Sequence, residues 1–299
     1  VPGRSAADPL FIGGTGRCGS HALARLLNRH SRYRTIPIEV RFHSDPPVLP
    51  ALLSGTIELE DFLDHLRGPG WKRDHPDGAP RGLSRYVPAE RFESAVEDFE
   101  RDYAADPPGS SARLIRSLLD PFAAEDGKPS WVEHTKNNVA SGATLLELFP
   151  EARIIHILRD GRDTAASLVQ QSFGPDRMAK ALGWWEERLA ATEQGAARIP
   201  EGRLMMLRVE DLVSRARDET YSRLIEFAGI EDEEDMRWFF ERRLRPDRAN
   251  AGRWKEGLSP RRRRAVNRRY TAALERLIAA GTPARPWLEA ALAEATSER

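Results

Sequence analysis

The chain has one cysteine in 299 residues, Cys18. A lone thiol forms no internal disulfide, so a secreted disulfide scaffold is excluded. Net charge is missing too: 46 Lys and Arg balance 46 Asp and Glu. No global field recruits nucleic acid or an anionic membrane, so any anion binding comes from local clusters. No apolar run approaches the roughly 20 residues of a membrane span. Val1 to Pro9 lacks a basic segment followed by an apolar one, so no signal peptide is read there. A cytoplasmic enzyme is the expectation. Internal repeats are also absent.

The composition that remains is ordinary for a globular protein, 40% hydrophobic and 31% charged, over a length ample for a real core. Leu10 to Ile12 is a short apolar run ending in Gly13-Gly14, and Ala22, Leu23, Leu26 and Leu27 follow at helical spacing. This predicts strand, loop, helix. Tyr33 to Val40 alternates and predicts an extended segment. Residues 44–130, rich in proline, glycine and charge, read as a helical insertion forming an acceptor-site wall or lid. Its helical segments are placed near Ile57 to Leu66, Pro88 to Tyr103 and Ala112 to Ala124. Beyond it, Val139 to Phe149 predicts a helix. Arg153 to Leu158 is a near-continuous apolar run, the pattern of a strand buried on both faces. Helices over Thr164 to Val169, Met178 to Ala197 and Arg215 to Ala228, with a strand at Leu204 to Val209, complete an alternating order. That order predicts an α/β domain with a mostly parallel sheet flanked by helices. Pro260 to Ala280 predicts a basic helix whose Arg261 to Arg264 run lies mostly on a solvated face.

Two stretches carry chemistry. The first is Gly13-Gly14-Thr15-Gly16-Arg17-Cys18-Gly19-Ser20-His21, between strand and helix. Successive glycines let backbone N–H groups turn inward around an anion, and a helix N-terminus adds partial positive charge. Arg17 adds a full charge and Ser20 a hydroxyl. A nucleoside-triphosphatase loop has Lys where Ser20 stands, and no apolar strand here ends in a lone Asp suited to Mg²⁺. A metal-free site for a phosphate-like group is therefore expected. Cys18 at a helix N-terminus permits a depressed pKa, but a small residue in place of serine is the favoured reading. The second stretch is Arg153 to Val169, where Arg159 ends a strand and Ser167 follows on a helix. The two can meet one phosphate from two sides, the guanidinium bidentately. Together the stretches suggest a ligand with two separated anionic ends.

These residues resemble the sulfotransferase family that uses 3′-phosphoadenosine 5′-phosphosulfate (PAPS). Gly16-Arg17-Cys18-Gly19-Ser20-His21 is similar to that family's phosphosulfate loop, and Arg159 with Ser167 to its 3′-phosphate pair. Asn250-Ala251-Gly252-Arg253-Trp254-Lys255 resembles the late segment covering the 3′-phosphate and adenine. Val209-Glu210-Asp211-Leu212 and Glu133-His134-Thr135-Lys136 match further family segments, in family order. The likeness is greatest to the bacterial and tyrosylprotein branch, whose E-x-R element is matched by Glu39-Val40-Arg41.

The resemblance implies a P-loop-like three-layer fold and sulfuryl transfer from PAPS to a hydroxyl, leaving adenosine 3′,5′-bisphosphate (PAP). It implies Glu39 as general base, with His43 a weaker alternative, and Arg17 with the loop amides on the phosphosulfate. It implies His134 as a donor to the leaving bridge oxygen, and Gly252, Arg253, Trp254 and Lys255 over the nucleotide. His134 stands where a lysine is usual. No metal, nucleic acid or membrane partner is expected. The alternatives are a P-loop phosphoryl transferase, which would need ATP and Mg²⁺, and a catalytically silent PAP-binding protein. A small-molecule alcohol, phenol, sugar, carrier-bound intermediate or peptide tyrosine all fit as acceptor.

Overall fold

The computed structural model describes residues 8–73 and 82–298. Residues 74–81 of the expected insertion lie outside the described residues. The chain runs through β1 (Leu10–Gly14), α1 (Ser20–Leu27), β2 (Tyr33–Thr35), α2 (Leu49–Leu53), α3 (Leu59–His65), α4 (Ala89–Asp102), α5 (Pro107–Glu125) and β3 (Ser130–Glu133). It continues through α6 (Gly142–Leu148), β4 (Arg153–Leu158), α7 (Gly161–Leu168), α8 (Met178–Ala196) and β5 (Leu204–Arg208). The last elements are α9 (Arg217–Ala228), α10 (Glu234–Arg243), α11 (Pro260–Ala279) and α12 (Arg285–Ser297). The five strands form one parallel sheet in the order β2-β3-β1-β4-β5.

Strand alternation divides the core in two. Leu10 and Ile12 of β1 point to one face with Val132, Ile155, Ile157 and Leu207, where α1, α9 and α10 cover them. Phe11, Trp131, Ile154 and Met206 point to the other, into a larger core filled from helices before and after the sheet. A sheet buried on both faces is a three-layer α/β domain, which is the fold expected from the apolar runs. Its parallel strands aim their carboxyl ends at one edge, where such sheets bind ligands.

The structure departs from the sequence expectations in several places. The extended segment expected over Tyr33 to Val40 is a strand only to Thr35. Ile36 N still donates to Val132 O at 2.9 Å, but Pro37 has no N–H to continue the ladder. β3 begins at the end of the region read as helical insertion. Its neighbour α5 starts at Pro107, where the Asp106 side chain caps the helix by accepting from Gly109 N at 3.0 Å. The helices of the insertion send Phe62, Phe92, Phe99, Leu114 and Ile115 into the main core, so its described part is welded to the sheet. Neither α10 nor α12 was expected. Arg261 to Arg264 on α11 are all exposed. Among the described residues no helix is long and apolar enough to cross a membrane.

Candidate active site

β1 ends at Gly14, and the next turns are tight. Gly16, Arg17 and Gly19 have φ of 81°, 56° and 100°, a left-handed region that favours glycine. Left-handed turns of this kind are the backbone of anion-binding nests, and α1 starts directly behind the loop at Ser20. Gly19 offers no side-chain cap; its carbonyl accepts from Ala22 N at 3.0 Å and Leu23 N at 3.1 Å, and the N-terminus of α1 points its dipole at the loop.

Three further segments converge on this loop. Arg17 Nε donates to Ser167 Oγ at 3.0 Å. Arg159, at the end of β4, donates from Nη1 to Arg17 O at 2.9 Å and from Nη2 to Asn250 O at 3.2 Å. The structure thus brings Arg17, Arg159, Ser167 and the 250–255 loop together, although they span more than 230 positions of sequence.

Sequence reasoning missed what holds that late loop. The carboxylate of Asp163, in the first turn of α7, accepts from Gly252 N at 2.7 Å and Trp254 N at 2.9 Å. Burial raises its pKa, while the two backbone donors pull the other way. Beside it Arg162 is held by Asp160, by Asn267 at 2.6 Å and by Glu298 at 2.8 Å. Its guanidinium lies 4.5 Å from the Trp254 ring and 4.7 Å from Tyr270. Trp254 is therefore buried on Arg162 and holds the loop down. Lys255 Nζ reaches Glu298 at 3.0 Å, and Arg253 donates to Asn250 Oδ1 at 3.2 Å.

The opposite end of the loop gathers His21, Glu39 and His134. One donor atom from each lies within 4.8 Å of the others, and the two imidazole rings are 4.4 Å apart. His134 Nε2 sits 3.1 Å from Ile36 O. A carbonyl only accepts, so Nε2 carries the proton and Nδ1 keeps a lone pair. Nδ1 is buried, with no hydrogen-bond partner among the described residues. With Nε2 spent on Ile36 O, Nδ1 is the atom His134 turns to the site, an acceptor in the neutral ring and a donor in the protonated one. His21 has its pKa lowered by burial and by His134, with Glu39 opposing. Glu39 Oε2 accepts from Arg41 Nε at 3.3 Å and Nη2 at 3.2 Å.

A better-placed cation is Lys136. A Cβ built on Gly16 would lie 3.6 Å from Lys136 Cδ, so this side chain lies over the phosphosulfate-like loop. Burial lowers its pKa, and Arg188 and Arg41 add to the effect. The signal for it was in the sequence, in Glu133-His134-Thr135-Lys136, but the weight fell on His134.

Glu133 of the same segment is fully buried and anchors both walls. Oε1 accepts from Val40 N at 3.1 Å and Thr135 Oγ1 at 2.6 Å, and Oε2 from Thr135 N at 2.9 Å and Asn138 Nδ2 at 2.7 Å. His43 Nε2 lies 3.1 Å from Oε2. Burial opposes ionisation here, yet His43 and the donors prevail and hold the carboxyl down to about 2. His43 itself has no exposed surface and is spent on this contact, which removes it as an alternative base. Cys18 is buried as well, and burial pushes its thiol up despite nearby backbone donors and Arg159. The helix N-terminus does not activate it.

His21, Glu39 and His134 offer two nitrogens and a carboxylate, donors that suit a transition metal. The surrounding charge opposes one: Arg17 and Arg25 act on His21, and Arg41 is bonded to Glu39. The field fits an anion better than a dication.

A model of the sulfotransferase family matches residues 9–234, well over half of the chain. No curated protein matches it in sequence. Among solved structures, the sulfotransferase domain from the Synechococcus PCC 7002 olefin synthase is 17% identical, with TM-score 0.48, over 87% of this chain and 91% of that one. Sulfotransferase STF9 from Mycobacterium avium is 18% identical, with TM-score 0.46, over 91% and 77%. A sulfotransferase from Alicyclobacillus acidocaldarius is 15% identical, with TM-score 0.45, over 90% and 94%. On the match that spans the glycine loop, Glu39, His134, Arg159 and Ser167, the chain belongs to the sulfotransferase family.

Proposed function

We propose that the protein transfers the sulfuryl group of PAPS to a hydroxyl acceptor and releases PAP. The observation that carries this reading is the convergence of Arg17, Ser167, Arg159 and Asn250 around a glycine loop with three left-handed residues. The loop amides, Arg17 and Ser20 hold the phosphosulfate end. Arg159 and Ser167 take the 3′-phosphate, with Arg253 and Lys255 on the loop that covers it. Both ends are anionic, and both meet fixed donors that need no reorganisation when charge develops.

Chemistry runs at the other end of the loop. The acceptor oxygen attacks sulfur in line, and its proton passes to Glu39. The bond from sulfur to the bridging oxygen breaks, and the electron pair leaves on the PAP phosphate. Lys136 neutralises that phosphate. The lone pair of His134 Nδ1 orients the acceptor hydroxyl or its proton.

Calorimetric titration of PAP and of ATP, with and without Mg²⁺, tests the donor. PAP binds without metal, and Arg159→Ala weakens it by about 10–100-fold, the loss of hydrogen bonds to a charged group. A preference for ATP with Mg²⁺, or indifference to Arg159, sinks the reading and favours phosphoryl transfer. Sulfuryl transfer from PAPS to an acceptor panel is likewise expected to proceed unchanged in EDTA. Activity that disappears with chelator and returns with a divalent ion would overturn the metal-free mechanism.

A further inference from the structure

A cavity of about 700 Å³ opens beside the transfer end of the site, with His21 and His134 in its lining. That volume is the size of a small-molecule site. Its walls come from α1, the exit of β2 and the end of α10, and they carry Arg25, Arg29, Arg34, Arg243 and Arg248. No carboxylate lines it among the described residues. Arg29 and Arg34 are partly neutralised from outside by Asp235 at 3.5 Å and Asp126 at 3.0 Å. Arg25, Arg243 and Arg248 have no carboxylate partner among the described residues. In a chain of zero formal charge, such a concentration of guanidinium groups in one concave wall is a local positive field that Asp235 and Asp126 only partly offset.

The donor does not account for it. Arg17, Arg159 and Ser167, which meet each other around the loop, are all absent from this lining. The shared residues are those of the transfer end. Arg25 lies four residues beyond His21 on α1, so the two share a helix face about 6 Å apart along the axis. Arg29 follows just past the end of the helix.

On the reading proposed above, we infer that the acceptor is a small hydroxyl compound bearing two or more phosphate, sulfate or carboxylate groups. Its anionic groups dock on the arginine wall, where guanidinium forks pair with such oxygens bidentately. Its hydroxyl then points back to His21, His134 and Glu39. A neutral alcohol or phenol would leave the wall's charge unmatched, so the arginines select for charged acceptors and steer them in.

The test is titration of sodium tripolyphosphate, with a neutral disaccharide as control, into the full chain saturated with PAP. Tripolyphosphate is expected to bind and the disaccharide not to. The combined variant Arg25→Ala, Arg243→Ala, Arg248→Ala should weaken tripolyphosphate roughly tenfold or more and leave PAP affinity within about twofold. All three side chains are exposed, and an unchanged thermal midpoint would show that the variant folds. Equal tripolyphosphate binding by the variant would overturn the inference. So would complete displacement of tripolyphosphate by PAP, which would place the anion in the donor site. A heparin hexasaccharide binding more than about tenfold tighter than tripolyphosphate would overturn the small-molecule assignment in favour of an anionic polymer. If the wild type fails to bind PAP, the donor reading falls alone. The same variant comparison on the nucleotide-free protein still decides the cavity.

Discussion

Glu133→Ala is expected to cost about 3–5 kcal/mol of stability, the loss typical of breaking a buried, fully bonded charge pair. Five donors converge on this one carboxylate. Removing it strands the Thr135 hydroxyl and amide and the Val40 amide in a dry interior, each needing a new partner. Glu133→Gln keeps the volume but replaces one acceptor oxygen with a donor, so it is expected to be nearly as damaging. The pH dependence has a fixed sign. The carboxyl is held at about 2 in the fold against 4.5 for the ordinary group. A depressed carboxylate contributes stability in full above its unfolded value and loses it as pH falls from about 4.5 toward 2. The shift corresponds to about 3 kcal/mol. Urea unfolding of the wild type and both variants at neutral pH and near pH 4 reads this directly. A Glu133→Ala loss below about 1 kcal/mol, or a wild type whose stability ignores acid, would show that the carboxylate is no anchor. The effect matters for the reaction because Val40 and Thr135 are the neighbours of Glu39 and His134. The hub sets the distance between the two sides of the transfer site.

That hub also shows where the sequence stops being readable. β4 announces itself because Ile154, Ile155, Ile157 and Leu158 are buried on both faces, and a run of apolar side chains is the direct consequence. β3 is just as buried, yet it is four residues long and closes on Glu133. A buried carboxylate breaks the apolar pattern, and the partner that makes it tolerable, His43, lies 90 positions away. The end of β2 was equally hidden, since alternation continues through Ile38 and Val40 while Pro37 stops the ladder. α12 is rich in alanine and shows weak periodicity. Its Leu288, Ala291 and Ala295 pack into the main core, and ion pairs of Glu294 with Arg208 and of Glu298, just past its end, with Arg162 and Lys255 add to that hold.

The candidate site divides along the same line. Gly16, Gly19 and Arg17 are visible because a loop that turns backbone inward needs particular residues at particular places. Asp163 looked like one more charged residue in Arg159-Asp160-Gly161-Arg162-Asp163. Its function of gripping two amides of the 250–255 loop exists only once the chain has folded that loop back over α7. For Lys136 the segment was legible but its position was not, because Gly16 is brought to it by the pairing of β1 with β3.

The largest catalytic effect is expected at Glu39. Replacing Glu39 with Gln removes the proposed proton acceptor while keeping an oxygen toward Arg41. kcat for sulfuryl transfer is expected to fall by about 10²–10⁴-fold, the usual worth of a positioned general base. PAP affinity should stay within about twofold, since the proposed nucleotide contacts lie on the Arg159 side of the loop. Glu39→Asp, which keeps the carboxylate but shortens its reach, should recover part of the rate. That rescue separates a base from a residue that only orients Arg41, because Gln would serve the orienting role at least as well as Asp. If Glu39→Gln keeps most of the wild-type kcat, proton transfer belongs to another group. The geometry leaves one successor in place. His134 Nδ1 is the buried lone pair beside His21, pinned in its acceptor tautomer by Ile36 O. In that case His134→Asn, not a substitution at Glu39, would abolish turnover. The carboxylate would then serve the two imidazoles electrostatically, favouring the protonated ring that forms as the acceptor gives up its hydrogen.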